Sequence, residues 1–354
     1  MIYHIFKLEK FTNSFIVEIN RKLNQKKNIF LVYKNQNDTI KYELLEYSNV
    51  IYLNDETDAI NYIRKYFNYN IDKLIMHSLF LSKRSLLFFF LNKKIISVSS
   101  WVLWGGDLYN FLDKKYSVNE LLRKRIIYNL ENIITYVKGD YILCRNKYKT
   151  KAKYLSGFYP YLLDKKVIRL CVDKDENKYK DKAFKYILLG NSADPSNNHI
   201  EALNKLKNIK RDNFKIIVPL SYGDREYTKK VIKYGREVFG ERFVALEEFV
   251  NFKDYIEMLN KIDVAIFNHR RQQAMGNIIT LLYLGKKVYL RRDITSWEFF
   301  CNSDIKVYDF LNPYSIDTIF MNEDEEELYK NREKLDNRFS VEKFYTEWEQ
   351  VLSY

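Results

Sequence analysis

Cysteine is scarce in this chain, and the few cysteines lie far apart. Cys144, Cys171 and Cys301 form no CxxC pair and no Cys/His cluster. That spacing excludes a zinc-finger type of site. An odd count without a pairing pattern excludes a disulfide framework and fits a reducing cytoplasm. Long hydrophobic runs are also missing. The run Ser85–Leu91 is too short to cross a bilayer and is flanked by Lys83, Arg84, Lys93 and Lys94. It reads as a buried helix, with a membrane-contacting helix as the alternative. No GKS/T loop points to a P-loop kinase, and no GxSxG elbow to a hydrolase. There is no low-complexity tract and no internal repeat. The opening residues Met1–Phe6 carry no basic leader and read as a first strand, not a signal peptide.

What is present is ample apolar material and positive charge. Hydrophobic residues make up 47% of 354 residues, enough for two domains. The net charge of +13 comes from 59 basic and 46 acidic residues. A cation excess suits nucleic acid, anionic lipid or phosphorylated substrates. Biased coding toward Lys, Asn, Ile and Tyr explains the same charge without any partner.

The hydrophobic pattern alternates strand and helix from end to end, which makes the fold class α/β. In the first half, strands are expected at Ile2–Phe6, Asn28–Tyr33, Lys73–His77, Ile95–Ser99, Tyr141–Cys144 and Lys153–Leu155. Helices are expected at Phe11–Leu23, Asp58–Phe67, Ser82–Phe90 and Ser117–Asn132. Residues 164–182 contain the charge run Asp173–Lys178 and read as a linker. The second half gives strands at Tyr186–Leu189, Lys215–Val218, Arg242–Ala245, Val264–Phe267 and Lys287–Leu290. Its helices fall at Asn198–Leu206, Arg225–Phe239, Phe252–Asn260 and Asn277–Leu284. Two helices broken near Asn337 end the chain. The expected domains are therefore 1–165 and 183–335, with a helix at 338–354 returning to the first domain. Two Rossmann-like halves facing across a cleft are the GT-B architecture.

In such sheets, ligands bind beyond the carboxyl ends of the strands. Four polar loops fall at those positions. The first is Trp101–Tyr109. Gly105 and Gly106 allow close backbone approach, and Trp104 and Tyr109 offer flat faces for a sugar. Asp107 either takes a proton from an acceptor hydroxyl or caps a helix. The second is Gly190-Asn191-Ser192, leading through Asp194, Ser196 and Asn197 to His199. A small polar loop ahead of a helix can hold a diphosphate, and His199 either contacts that phosphate or packs. The third, Pro219–Asp224, presents Tyr222. The fourth is Asn268–Asn277, where Arg271 would neutralise a leaving diphosphate beside Gln272 and Gln273. Gly276 and Asn277 open the following helix. Glu248, after another strand, would take ribose or sugar hydroxyls. Gly105-Gly106-Asp107 is not an Asp-x-Asp motif, so neither a metal nor a resident cofactor is expected.

These loops, in this order, resemble the TDP-N-acetylfucosamine:lipid II N-acetylfucosaminyltransferase family, glycosyltransferase family 56. The matching pieces are Trp104–Tyr109, Leu188–Ser192 with Asp194, Ser196, Asn197 and His199, Val218-Pro219 with Tyr222, Glu248, and Arg271–Gln273 with Gly276. The resemblance covers roughly residues 95 to 300. It implies a GT-B fold, a nucleotide-diphosphate sugar donor and a polyprenyl-diphosphate-linked glycan acceptor. It also implies a peripheral place at the cytoplasmic face of a bacterial inner membrane. The positive charge and the Phe88–Phe90 patch fit that place. The lack of an arginine-rich helix or a known nucleic-acid motif argues against a nucleic-acid partner. A nucleotide-sugar epimerase of the same fold, or a basic membrane- or nucleic-acid-binding module, is the alternative.

Overall fold

Parallel strands require crossover segments, and the alternation of apolar runs with amphipathic stretches supplies them. The structure is a computed structural model describing residues 1–23, 27–34, 42–112, 117–160, 168, 184–316, 318–321 and 325–353. The chain divides into two compact units, Met1–Tyr161 with Ser340–Tyr354, and Leu162–Phe339. The linker expected over 164–182 lies outside the described residues, apart from residue 168, as does Cys171.

The first unit contains β1 (Ile2–Lys7), β2 (Asn28–Tyr33), β3 (Val50–Leu53), β4 (Lys73–Met76), β5 (Ser99–Val102), β6 (Asn132–Ile134) and β7 (Lys153–Leu155). They form one sheet in the order β3-β2-β1-β4-β5-β6-β7, and every pairing is parallel. The second unit contains β8 (Lys185–Leu189), β9 (Phe214–Pro219), β10 (Phe243–Leu246), β11 (Val264–Phe267), β12 (Lys287–Leu290) and β13 (Tyr308–Asp309). Its order is β10-β9-β8-β11-β12-β13, again parallel throughout. Strands covered by helices on both faces should read as unbroken apolar runs. Accordingly, β5, β11 and β12 are buried along their whole length. Each sheet reverses its strand order once, between β1 and β4 and between β8 and β11. Those reversals are the switch points where a doubly wound sheet leaves a crevice.

The last helix, Val341–Ser353, belongs to the first unit. Trp348 Nε1 donates to the Phe158 carbonyl at 2.8 Å, and the Tyr345 hydroxyl donates to Glu18. The Trp348 ring meets Phe15 edge-on at 4.5 Å.

Two expected strands of the first unit are corrected. Tyr141–Cys144 lies inside the helix Lys138–Tyr148, whose buried residues Asp140, Cys144 and Tyr148 recur every four positions. Ile95 and Ile96 belong to a helical turn, Lys93–Ile96, and the strand starts only at Ser99. The helix Lys83–Leu91 buries Leu86, Phe88 and Phe89, and the Ser82 hydroxyl caps it at the Ser85 amide.

Candidate functional site

Three loops meet at the carboxyl edge of the second sheet, and Asn191 joins them. Its side-chain amide donates to the Tyr222 hydroxyl at 2.9 Å, after β9. Its Oδ1 accepts from Gln273 Nε2 at 3.2 Å, after β11. Its own backbone N–H donates to Asn197 Oδ1 at 2.9 Å. Ala193 pairs with Gly223 as an isolated parallel bridge that holds the β8 and β9 loops back to back. A Cβ on Gly223 would lie 2.6 Å from the Ala193 carbonyl carbon, so only glycine permits that approach. The loops after β8 and β11 thus close around the switch point.

Arg271 lies across this junction. Its Nε donates to Ser196 Oγ at 3.2 Å and its Nη2 to Asp194 Oδ2 at 3.3 Å. Ser196 Oγ in turn donates to Gln273 Oε1 at 2.7 Å. The guanidinium side chain is 16% exposed, so it is held in place yet reachable. Burial alone would push the Asp194 carboxyl up. Hydrogen bonds from Ser196 and the charge and hydrogen bond of Arg271 outweigh it and hold that carboxyl below its usual range. Gln272 is buried. Gly276 and Asn277 lie in the first turn of the helix Met275–Tyr283, entered through Ala274 in the left-handed conformation at φ 57°. A Cβ on Gly276 would face open space, and the Asn277 side chain hydrogen-bonds the Tyr255 phenol. Glu248 is exposed beyond β10.

Beneath the β8 loop is a second layer. Ser192 and Asn197 are buried, and the Asn197 amide donates to Ser192 Oγ at 3.3 Å. His269 Nε2 pairs with Asn197 Oδ1 at 2.9 Å. His199 is wholly buried and neither ring nitrogen has a hydrogen-bond partner among the described residues. Desolvation holds His199 near pKa 4. Desolvation, with the cost of protonating His269 beside His199 and the Arg271 guanidinium, holds His269 near 3. Both rings are neutral at physiological pH. These residues support the loop from below, so of the two expectations for His199, packing is the one this placement fits.

In the first unit, the turn after β5 carries Asp107, expected either as a base or as a helix cap. Asp107 is 0% exposed. Its Oδ2 accepts from Trp101 Nε1 at 2.7 Å and from the Leu79 amide at 3.0 Å, and its Oδ1 accepts from the Trp104 amide at 2.9 Å. Arg123 Nη2 donates to its carbonyl at 2.5 Å. Burial raises its pKa against the pull of these donors. The carboxylate ties the β4 and β5 loops together. Gly105 takes φ 87°, and Gly106 opens the helix Gly106–Leu112. Tyr109 donates to Asp140 Oδ1 at 2.6 Å. Trp104 keeps a partly exposed ring, packed on Phe11 and Tyr159 at centroid distances of 5.7 and 4.4 Å.

Sequence reasoning missed a polar chain that runs from the amino end of β2, through the middle of β1, to the carboxyl end of β4 beside the switch point of this first sheet. Asn28 Nδ2 donates to the Leu23 carbonyl, which leaves its Oδ1 to accept from His4 Nε2 at 3.1 Å. His4 Nδ1 therefore accepts from His77 Nε2 at 2.9 Å, and His77 Nδ1 accepts from the Tyr159 hydroxyl. Ser78, next in the chain, holds φ 141°, a strained conformation for a side-chain-bearing residue. Glu9, just past β1, is close enough to Tyr159 that its charge adds to burial in raising the phenol's pKa. The available signal was a histidine at the end of a strand, His77. Among the described residues, no group of three His, Cys, Asp or Glu is placed to hold a metal ion.

A family model described as 4-alpha-L-fucosyltransferase, glycosyl transferase group 56, matches residues 4–354. Similar solved structures include the N-terminal domain of trehalose-6-phosphate phosphatase from Candida albicans. It is 12% identical with TM-score 0.69, covering 99% of this chain and 96% of that one. A UDP-forming α,α-trehalose-phosphate synthase from Burkholderia xenovorans is 8% identical with TM-score 0.67, covering 99% and 98%. WaaG, a glycosyltransferase involved in lipopolysaccharide biosynthesis, is 10% identical with TM-score 0.60, covering 99% and 98%. These likenesses fix the fold as GT-B. The chain belongs to glycosyl transferase group 56 and is a glycosyltransferase.

Proposed function

We propose that this group 56 glycosyltransferase moves an N-acetylated deoxy-amino sugar, such as N-acetylfucosamine, from a TDP-type nucleotide-sugar. The acceptor in this reading is a polyprenyl-diphosphate-linked glycan of a bacterial surface polysaccharide, of the enterobacterial common antigen kind, met at the cytoplasmic face of the inner membrane. One observation carries the donor side: a positioned, reachable Arg271 at a switch point whose loops are joined through Asn191. An arginine held by side-chain partners is pre-organised for a diphosphate and gives up little entropy on binding it. The amides at the start of Met275–Tyr283 add partial positive charge. Tyr222 and Glu248 are the exposed groups assigned to the nucleoside or sugar. Gly190, Ser192, Asn197 and His199 set the shape of the loop.

The first unit takes the acceptor, with Trp104 and Tyr109 beside it. Asp107 is assigned a positioning role, because its carboxylate already accepts three hydrogen bonds. Glu9 is assigned the base. As the acceptor oxygen bonds to the anomeric carbon, its proton passes to Glu9, and the bond from that carbon to the diphosphate oxygen breaks. Replacing Glu9 by Gln should lower kcat by about 10²- to 10⁴-fold with donor affinity unchanged. Unchanged turnover would remove Glu9 from the role. Thermal-shift screening against TDP-, UDP- and GDP-sugars tests the donor. Stabilisation by TDP-sugars above the others is expected, and no stabilisation by any nucleotide would overturn the reading. Donor consumption without a lipid acceptor would favour an epimerase instead.

A further inference from the structure

The first unit carries a surface that sugar transfer does not use. The helices Lys83–Leu91 and Val118–Asn129 pack side by side. Helical spacing places Arg84, Leu87 and Leu91 on one stripe, and Val118, Leu121 and Arg125 on another. The apolar members are open to solvent: Leu87 is 46% exposed, Leu91 68%, Val118 61% and Leu121 63%. Lys83, Arg84, Lys93, Lys94, Lys124 and Arg125 are all exposed around them. Across residues 82–97 and 117–129 the only acidic residue is Glu120, buried 3.8 Å from Arg123. The Phe88–Phe90 patch is thereby corrected as a contact surface: Phe88 and Phe89 face the core, and their neighbours Leu87 and Leu91 face out.

The cations repel one another around large aliphatic side chains that leave apolar area in water, and the acid at the start of the stripe, Glu56, is tied to the Ser82 amide and hydroxyl. An anionic bilayer relieves both costs, with leucines in the acyl boundary and cations among the headgroups. A nucleic acid would use the cations and leave the leucines wet. The stripe also begins at the acceptor side of the unit. Exposed Phe80 precedes the first helix, and a Cβ on Gly106 would lie 3.4 Å from its ring. The neighbouring Leu79 amide is bonded to Asp107. A lipid-borne acceptor would therefore reach the Trp104 turn from the same surface.

We infer that the paired-helix face of Lys83–Leu91 and Val118–Asn129 docks on an anionic lipid bilayer. This assignment gives a location to the lipid-linked acceptor of the proposed function and rests on that reading for its purpose, but its test needs no substrate. The full chain is sedimented with phosphatidylglycerol–phosphatidylcholine vesicles and with phosphatidylcholine vesicles. Binding to the anionic vesicles alone, weakened by salt, is expected. The double variant Leu87→Asp, Leu121→Asp should lose at least about tenfold in partitioning. Leu143→Asp, an exposed leucine on another helix, should bind like the parent. Circular dichroism and the nucleotide thermal shift of the double variant should be unchanged, so that the surface and the donor site fail separately. No preference for anionic vesicles, a double variant that binds like the parent, or capture of a DNA duplex in place of vesicles would overturn the assignment.

Discussion

The replacement Gly190→Ala tests how tightly the β8 loop is set over its buried layer. Gly190 holds φ 71°, a left-handed conformation that costs an alanine about 1–2 kcal/mol. The added Cβ would lie 2.5 Å from His199 Nε2 and 2.8 Å from Asn197 Oδ1, both closer than real Cβ contacts come. Neither neighbour has room to retreat, because both are wholly buried and Asn197 is held by Asn191 and His269. Overpacking of this kind costs about 1–3 kcal/mol. The sum is about 2–5 kcal/mol, which corresponds to a fall in Tm of about 5–15 °C for a unit of this size. Differential scanning calorimetry of the full chain reads it. Adding His199→Ala removes the nearest clash, so the double variant should be more stable than the two single effects predict, by about 1 kcal/mol or more. A Tm within about 2 °C of the parent, or strict additivity, would refute the packing argument.

Other expectations concern the first unit and pH. Asp107→Asn keeps one acceptor oxygen where three donors converge, so it should cost about 1–3 kcal/mol of stability, read by thermal melting, and leave nucleotide binding intact. An unchanged melt with turnover abolished would return Asp107 to the role of base. All four histidines, His4, His77, His199 and His269, are buried with depressed pKa values, His4 and His199 near 4 and His269 near 3. A histidine whose folded pKa lies below its unfolded value of about 6.5 favours unfolding when protonated. Its stabilising share is full above that pH and shrinks as pH falls toward 4, by up to about 1.4 kcal/mol per unit for each ring. Melting temperatures measured from neutral pH to pH 5 should fall steadily, and a flat profile would contradict the burial of these rings.

Much of the second unit was legible in the sequence because its strands are short apolar runs that each stop at a small polar loop. Ile187–Leu189 before Gly190 and Val264–Phe267 before Asn268 are the clearest cases. The first unit was harder. Tyr141–Cys144 is too short an apolar run to separate strand from helix, and only the four-residue recurrence of Asp140, Cys144 and Tyr148 around it settles the matter. The short strand β6 passed unread for the same reason. The sequence placed the candidate site residues at strand ends but could not give the direction of their side chains. Asp107 turns inward because its partner, the Leu79 amide, comes from a loop 28 residues away. His199 likewise packs under Gly190. The links from His4 to His77 and on to Tyr159 join strands and loops far apart in sequence, which no local pattern encodes.

The central claim is that Arg271 at the β8–β11 switch point holds the diphosphate of a nucleotide-sugar. Isothermal titration of the full chain with TDP, for the parent and for Arg271→Met, tests it most directly. A charge-assisted hydrogen bond to a phosphate is worth about 1.5–3 kcal/mol, so the variant should bind about 10- to 100-fold more weakly. Equal affinity in the two proteins, or no binding of TDP by the parent, would contradict the account.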